Sequence, residues 1–261
     1  RAVELTSFVH PRWVPQLADA EQLLTELGSL QDGPLAGVRA PVLVPNARGL
    51  ERALARNVRE VAVFVSATES FAQKNLNRTR QEALDMSADV ARGAAAAGVA
   101  VRGYVSMCFG DPWEGDVDPS EVVDVVLALH QQGCHEISLG DTIGVGTAGH
   151  VVTLLDALED AGVPRSALAV HFHDTYGQAL ANTLIALQHG ITVVDASAGG
   201  LGGCPFAQSA TGNLATEDLV WMLHGLGVET GLDLQSLVET SGWLSERMGR
   251  PSPSRAVRAL G

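Results

Sequence analysis

The chain is short of several things, and each shortage excludes a class of protein. Cysteine is scarce: Cys108, Cys134 and Cys204 are the only 3 in 261 residues. Three cannot all pair and none sits in a C-x-x-C arrangement, so a disulfide framework is excluded and a reducing compartment is expected. Basic residues are few as well. Lys and Arg number 17 against 30 Asp and Glu, for a net charge of −13. General binding to nucleic acid or anionic lipid is therefore disfavoured, and a polyanionic ligand would need a local basic patch. No apolar run reaches the roughly 18–20 residues of a membrane helix. The sequence also lacks a G-x-S-x-G elbow, a linker and any low-complexity tract, and its Gly199 to Pro205 stretch does not have the G-x-G-x-x-G spacing of a dinucleotide fingerprint. No signal peptide is visible. The chain opens directly in strand-like residues, Ala2 to Phe8, so upstream sequence is expected to be missing.

What is present is alternation. Short β-rich runs fall at Val3 to Phe8, Pro41 to Val44, Glu60 to Val65, Val99 to Ser106, His135 to Leu139, Leu168 to His171 and Thr192 to Ala196. Between them lie amphipathic segments with readable ends. Thr79-Arg80-Gln81-Glu82 has the form of a capping box. Asp118-Pro119-Ser120-Glu121 offers an N-cap, a first-turn proline and an acid at the positive end of the helix dipole. That helix places Val122, Val126 and Leu129 on one face and stops at Gly133; another runs through Leu180, Leu184 and Leu187 to Gly190. Gly98 and Gly162 mark two more helix exits. Strand–helix repetition of this kind predicts an α/β fold with a parallel sheet. An open sheet and a closed barrel both fit the spacing. Polar or glycine-rich clusters at nearly every strand end favour the barrel, where all of them meet at one mouth. The expectation is a (β/α)8 TIM barrel lacking its first strand, forming a single incomplete catalytic domain over 1–261, with 46% hydrophobic residues to fill its core.

Four segments carry candidate chemistry. In Val170-His171-Phe172-His173-Asp174 the histidines are two apart, so on a strand both face the same way and can share one metal ion. The Gly199-Gly200-Leu201-Gly202-Gly203-Cys204 stretch is a freely bending backbone with a thiol at its tip. Asn213, ahead of Glu217 and Asp218, is either a helix cap or an amide-oxygen ligand; an oxygen beside two imidazoles would suit magnesium or manganese. Asp141, between Gly140 and Thr142 at a strand end, is a turn residue or a proton acceptor. Glu4 stands similarly on the opening strand and must find a partner if it faces inward. Lys74, Asn75 and Arg102 are candidate anchors for a carboxylate or phosphate. Ser7, Asn46, Thr142, Gly202 and Gly203 complete the expected substrate-binding set at the mouth.

Taken together these segments resemble the hydroxymethylglutaryl-CoA lyase family, within the wider group of metal-dependent lyases and synthases on this barrel. The likeness runs over nearly the whole chain. It is carried by Glu4 to Gln16, Pro41 to Gly49, Arg102 to Ser106, Glu136 to Thr147, Val170 to Thr183 and, most specifically, Gly199 to Leu226. The resemblance implies a divalent ion, Mg2+ or Mn2+, on His171, His173 and Asn213, with Cys204 as the catalytic thiol. Asp141 and Glu4 match acidic active-site residues, and Glu217 matches an acid close to the metal. The implied reaction is retro-Claisen cleavage of 3-hydroxy-3-methylglutaryl-CoA to acetyl-CoA and acetoacetate, as in leucine degradation and ketone-body metabolism, with His171 or Asp141 as base. A homodimer is implied, cytoplasmic or in the mitochondrial matrix of a eukaryote. One departure stands out. The family pattern opens with a strand ending in Arg-Asp, a metal ligand and an enolate-stabilising cation, and nothing here matches it. Rival readings are a lyase or synthase for another 3-hydroxyacyl-CoA, or a non-catalytic metal-binding barrel fragment.

Overall fold

A computed structural model describes residues 1–28, 33, 35–203 and 212–261. Helix α1 (Ala20–Leu27) precedes β1 (Val42–Leu43), α2 (Ala47–Leu54), β2 (Glu60–Ser66), α3 (Glu69–Leu76), α4 (Arg80–Ala96) and β3 (Ala100–Ser106). Strands β4 (Gly110–Asp111) and β5 (Gly115–Asp116) form a small antiparallel hairpin. The chain continues through α5 (Pro119–Gln131), β6 (Glu136–Asp141), α6 (Ala148–Asp160), β7 (Leu168–Phe172) and α7 (Ala179–Gln188). It ends with β8 (Val194–Asp195), α8 (Thr216–Gly225), α9 (Leu234–Met248) and α10 (Arg255–Leu260). No helix among the described residues is long and apolar enough to cross a membrane.

The residues fall into two compact groups, 1–105 with 124–137 and 106–123 with 138–261. In the first group β1, β2 and β3 are sheet neighbours in that order, and β1 runs parallel to β2. In the second, β6, β7 and β8 are neighbours in that order, and β7 runs parallel to β8. Parallel strands joined by helices carry apolar residues on both faces. That is the pattern of β2, where Val61, Ala62, Val63 and Val65 are all buried, and of β7, where Leu168, Ala169, Val170 and Phe172 are.

Local chemistry sets the helix ends. Thr79 accepts from the Glu82 amide and Glu82 accepts from the Thr79 amide, closing the box at the start of α4. Removing the threonine oxygen should cost about 1 kcal/mol. Asp118 accepts from both the amide and hydroxyl of Ser120, holding the first turn of α5. Gly98 and Gly162 take φ of +67° and +81° where α4 and α6 turn out into the next segment.

One expectation is corrected. Val3 to Phe8 is not a continuous strand. It bridges at Ala2–Arg39 and Ser7–Leu43 only. Arg39 donates to Arg1 and Leu43 donates to Thr6, so four residues on one side meet five on the other. Between them Pro41 has no N–H to return the bond that Leu5 donates to it, and the ladder breaks there. Helix α7 runs through Leu180, Leu184 and Leu187 and ends just before Gly190, as expected. Leu180, Leu184 and Leu187 are half-buried, whereas Asn182 and Thr183 are wholly buried. Asn182 Nδ2 donates to the Gly146 carbonyl, with its Oδ1 left without a partner among the described residues, and Thr183 donates to the Ala179 carbonyl.

Candidate active site

The second group gathers most of the expected chemistry. His171 lies on β7 and His173 just beyond its end, with ring centroids 5.4 Å apart. The segment 212–214 returns beside them: Asp174 donates to the Gly212 carbonyl and Leu214 donates to the Phe172 carbonyl, bridging His173 with Asn213. Asn213 Nδ2 donates to the Leu201 carbonyl at 2.8 Å. The amide is thereby fixed, and its Oδ1 is left without a hydrogen-bond partner among the described residues, as is His173 Nδ1. A Cβ at Gly202 would meet Asn213 Nδ2 at 2.8 Å, and Gly202 takes φ +95°, so glycine is needed there. Gly203 follows it on the exposed side.

Burial, with His171 beside it, pulls His173 down to about 4. The ring is then neutral near pH 7, the form that ligates metals. Two buried lone pairs without partners cost roughly 1–3 kcal/mol each, and a bound cation would remove that cost. The donors present, two imidazoles and an amide oxygen, therefore fit a divalent ion. Among the described residues no group of three or more His, Cys, Asp and Glu side chains assembles, a set that does not include the amide of Asn213.

Asp141 ends β6 and is 1% exposed. Its two oxygens accept from the amides of Val145 and Gly146, each at 3.0 Å, and so shape the loop after the strand. Burial pushes its carboxyl up to about 6 against the pull of these amides and of His171. Thr142 Oγ1 accepts from the Met107 amide. Glu217 is fully buried and accepts from the Gly199 amide and the Ser241 hydroxyl, anchoring the turn that leads into the glycine stretch. Asp218 caps α10 through Ser254 and the Ala256 amide. Cys204 lies outside the described residues. The other thiols are buried, with Cys134 pushed up to about 12 and Cys108 raised too by loss of water, which makes both unreactive.

The first group holds the remaining expected residues. Glu4 is exposed and accepts from the Tyr104 hydroxyl at 2.8 Å. Tyr104 accepts in turn from Arg102. Arg102 was expected to anchor a substrate anion. Here it is 4% exposed and its Nε lies 2.6 Å from Glu136 Oε1, so its charge is neutralised within the fold. Glu136 and Glu60 also pair with Arg39. Ser7 Oγ accepts from the Val9 amide, and Asn46 caps α2 by accepting from Gly49. Asn46 also borders a cavity of about 200 Å3 together with His10 and Arg48. Lys74 is exposed and Asn75 half-buried near the end of α3.

Sequence reasoning passed over Tyr104 and Asp195. Asp195 pairs in register with His171 across β7 and β8 and accepts from Ser138 at 2.7 Å. The signal available was an acid inside the apolar run Val193-Val194-Asp195-Ala196.

Parallel strands joined by helices, with two imidazoles and an amide oxygen gathered beyond a strand end, define the class: an α/β protein with the donor set of an open divalent-metal site. A family model described as HMGL-like matches residues 31–243. Hydroxymethylglutaryl-CoA lyase of Arabidopsis thaliana, a mitochondrial protein, is 53% identical over 99% of this chain, which spans 54% of that protein. The mitochondrial lyase of Bos taurus is 51% identical over 98% of the chain and 77% of its own length. The crystal structure of the Pseudomonas aeruginosa lyase superposes with a TM-score of 0.92 at 47% identity, covering 98% of this chain and 84% of that one. The chain belongs to the HMGL-like family, among the hydroxymethylglutaryl-CoA lyases, and its fold class is that family's (β/α)8 TIM barrel.

Proposed function

We propose that the protein is a carbon–carbon lyase that cleaves 3-hydroxy-3-methylglutaryl-CoA to acetyl-CoA and acetoacetate. The observation that carries the reading is the convergence of His171, His173 and Asn213 with two buried donor atoms left unsatisfied. In this reading the three side chains hold Mg2+ or Mn2+. When bound, the ion supplies Lewis acidity toward the tertiary hydroxyl and the free carboxylate of the acyl group.

The chain's own residues do the rest. Asp141, held near 6, is matched to accept the hydroxyl proton at neutral pH, and His171 is the competing acceptor. Loss of that proton lets the C–C bond break, leaving an enolate on the acetyl thioester. Cys204 donates the proton that converts it to acetyl-CoA. Gly202 and Gly203 let the thiol's loop approach closely, while Thr142 keeps the Asp141 loop in place. The cavity beside Asn46 is bordered by Arg48, a positive charge suited to a polyanionic thioester. Ser7, Lys74 and Asn75 complete the assigned contacts, with Glu4 and Arg102 setting Tyr104 between them. A homodimer, cytoplasmic or mitochondrial in a eukaryote, is the assembly proposed.

The test is an assay for acetoacetate from 3-hydroxy-3-methylglutaryl-CoA with added Mn2+ or Mg2+. Metal-dependent acetoacetate is the expected result. Bound metal without product would remove this substrate from the reading and direct the search to other acyl-CoA thioesters.

A further inference from the structure

Asp195 is a half-buried acid in the middle of an apolar strand run, where a carboxylate gains from a partner. The parallel register sets it directly beside His171 on the neighbouring strand, so both side chains leave the sheet on the same face. Its Oδ2 lies 3.6 Å from His171 Nδ1. That is a charge-pair distance, and a shift of about 0.5 Å would make it a hydrogen bond. The same oxygen accepts a 2.7 Å hydrogen bond from Ser138, which is wholly buried on β6. Ser138 thus pins the carboxylate while the carboxylate faces the imidazole.

We propose that Asp195 is a positioning residue for His171. A neutral imidazole carries its proton on one nitrogen, and the partner of that nitrogen decides which. A carboxylate only accepts. Facing Nδ1, it selects the Nδ1–H tautomer and leaves the Nε2 lone pair for a cation. Without it the two tautomers compete, and the Nε2–H form has no lone pair to offer from Nε2. His173 is treated differently: its Nδ1 has no partner among the described residues. The fold orients one imidazole of the pair from behind and leaves the other to be oriented by what it binds. This inference rests on the metal-site reading above. The competing account is that Asp195 merely ties Ser138 to β8.

The experiment uses the full chain with 15N-labelled histidine, and Mn2+ binding followed by electron paramagnetic resonance. In the unliganded wild type, His171 should show a protonated Nδ1 and a bare Nε2. Asp195→Ala should populate the Nε2–H form and weaken Mn2+ binding by roughly 10- to 100-fold. Asp195→Asn keeps a carbonyl acceptor and the same shape. It should recover part of that loss, and it keeps the test alive if the alanine variant does not fold. Ser138→Ala should lose less than Asp195→Ala. Wild-type Mn2+ affinity and an unchanged His171 tautomer in the Asp195 variants would overturn the proposal and leave only the strand tie. A wild type that binds no Mn2+ would instead sink the metal-site reading, and the tautomer of His171 would still report whether Asp195 sets it.

Discussion

Two polar clusters in this protein are handled in opposite ways. Glu60, Arg102 and Glu136 are charged groups placed where water is scarce, yet each has an oppositely charged partner, with the exposed Arg39 bridging both acids and Arg102 further held by Tyr104. His173 is buried and Asn213 half-buried, and a buried side-chain atom of each, Nδ1 and Oδ1, has no hydrogen-bond partner among the described residues. Buried polar groups are almost always partnered, because an unmade hydrogen bond costs more than a made one gains. A cluster that satisfies itself is therefore architecture. Thr175 Oγ1 and Asn182 Oδ1 also lack a partner among the described residues, and what sets His173 and Asn213 apart is that they lie together beside His171 with a donor set that fits a cation. The contrast also separates Arg102 from the anion receptor its sequence position invited: the residue type is right for recognition, but its charge is already matched.

The comparison can be broken or sharpened at several points. Cys204→Ala should lower kcat by roughly 10²- to 10⁴-fold, the range of a lost general acid, with Mn2+ affinity nearly unchanged. If metal binding fell in parallel, the thiol would belong to the binding site and not to proton transfer. In the satisfied cluster, Glu136→Leu leaves two guanidiniums with less countercharge and should cost about 3–5 kcal/mol in urea unfolding. Adding Arg102→Met to it should restore much of that loss, and failure to do so would mean the pair is not the unit. In the unsatisfied cluster the signs reverse. His173→Leu should weaken Mn2+ binding at least ~100-fold, since it removes a donor and not merely a donor's support. The same change should leave the melting temperature of the metal-free protein equal or higher.

The smallest effect is a pH dependence at His135. Glu60 holds this imidazole above its ordinary range, opposed by burial and by Arg39, while the Val101 carbonyl supports it. Glu60 itself is held down to about 2 by His135 and Arg39 against its burial. A raised histidine stabilises fully below its unfolded value, near 6.5, and loses this as pH rises through the folded value. A depressed carboxylate stabilises above its unfolded value and loses this as pH falls toward about 2. The cluster should contribute most between about pH 4.5 and 6.5. His135→Gln should flatten the alkaline side of a melting-temperature profile taken between pH 6 and 8. An unaltered slope would show that the pair carries no measurable stability.

Much of the fold was legible because strands and helices announce themselves through local chemistry. The Thr79–Glu82 box, the Asp118 cap and the glycine exits formed where residue type alone demanded them. The first run was misread because Pro41 acts on a partner strand, out of sight of Val3 to Phe8. Helix α7 was legible through Leu180, Leu184 and Leu187, whereas the burial of Asn182 and Thr183 was not, because it depends on acceptors supplied by Gly146 and Ala179. In the site, the His-x-His pair was legible through the two-residue repeat of a strand. Asp195 was not, because nothing local to it points to His171.

By itself, then, the sequence determined most of the element types and the shared facing of His171 and His173. These follow from the spacing and chemistry of neighbours along the chain. Tertiary structure alone decided that Asn213 would meet His173, that Arg102 would be spent on Glu136, and that Asp195 would stand behind His171. Each of these depends on strand register and backbone return, and a contact between distant residues has no energy until the chain has closed the loop between them.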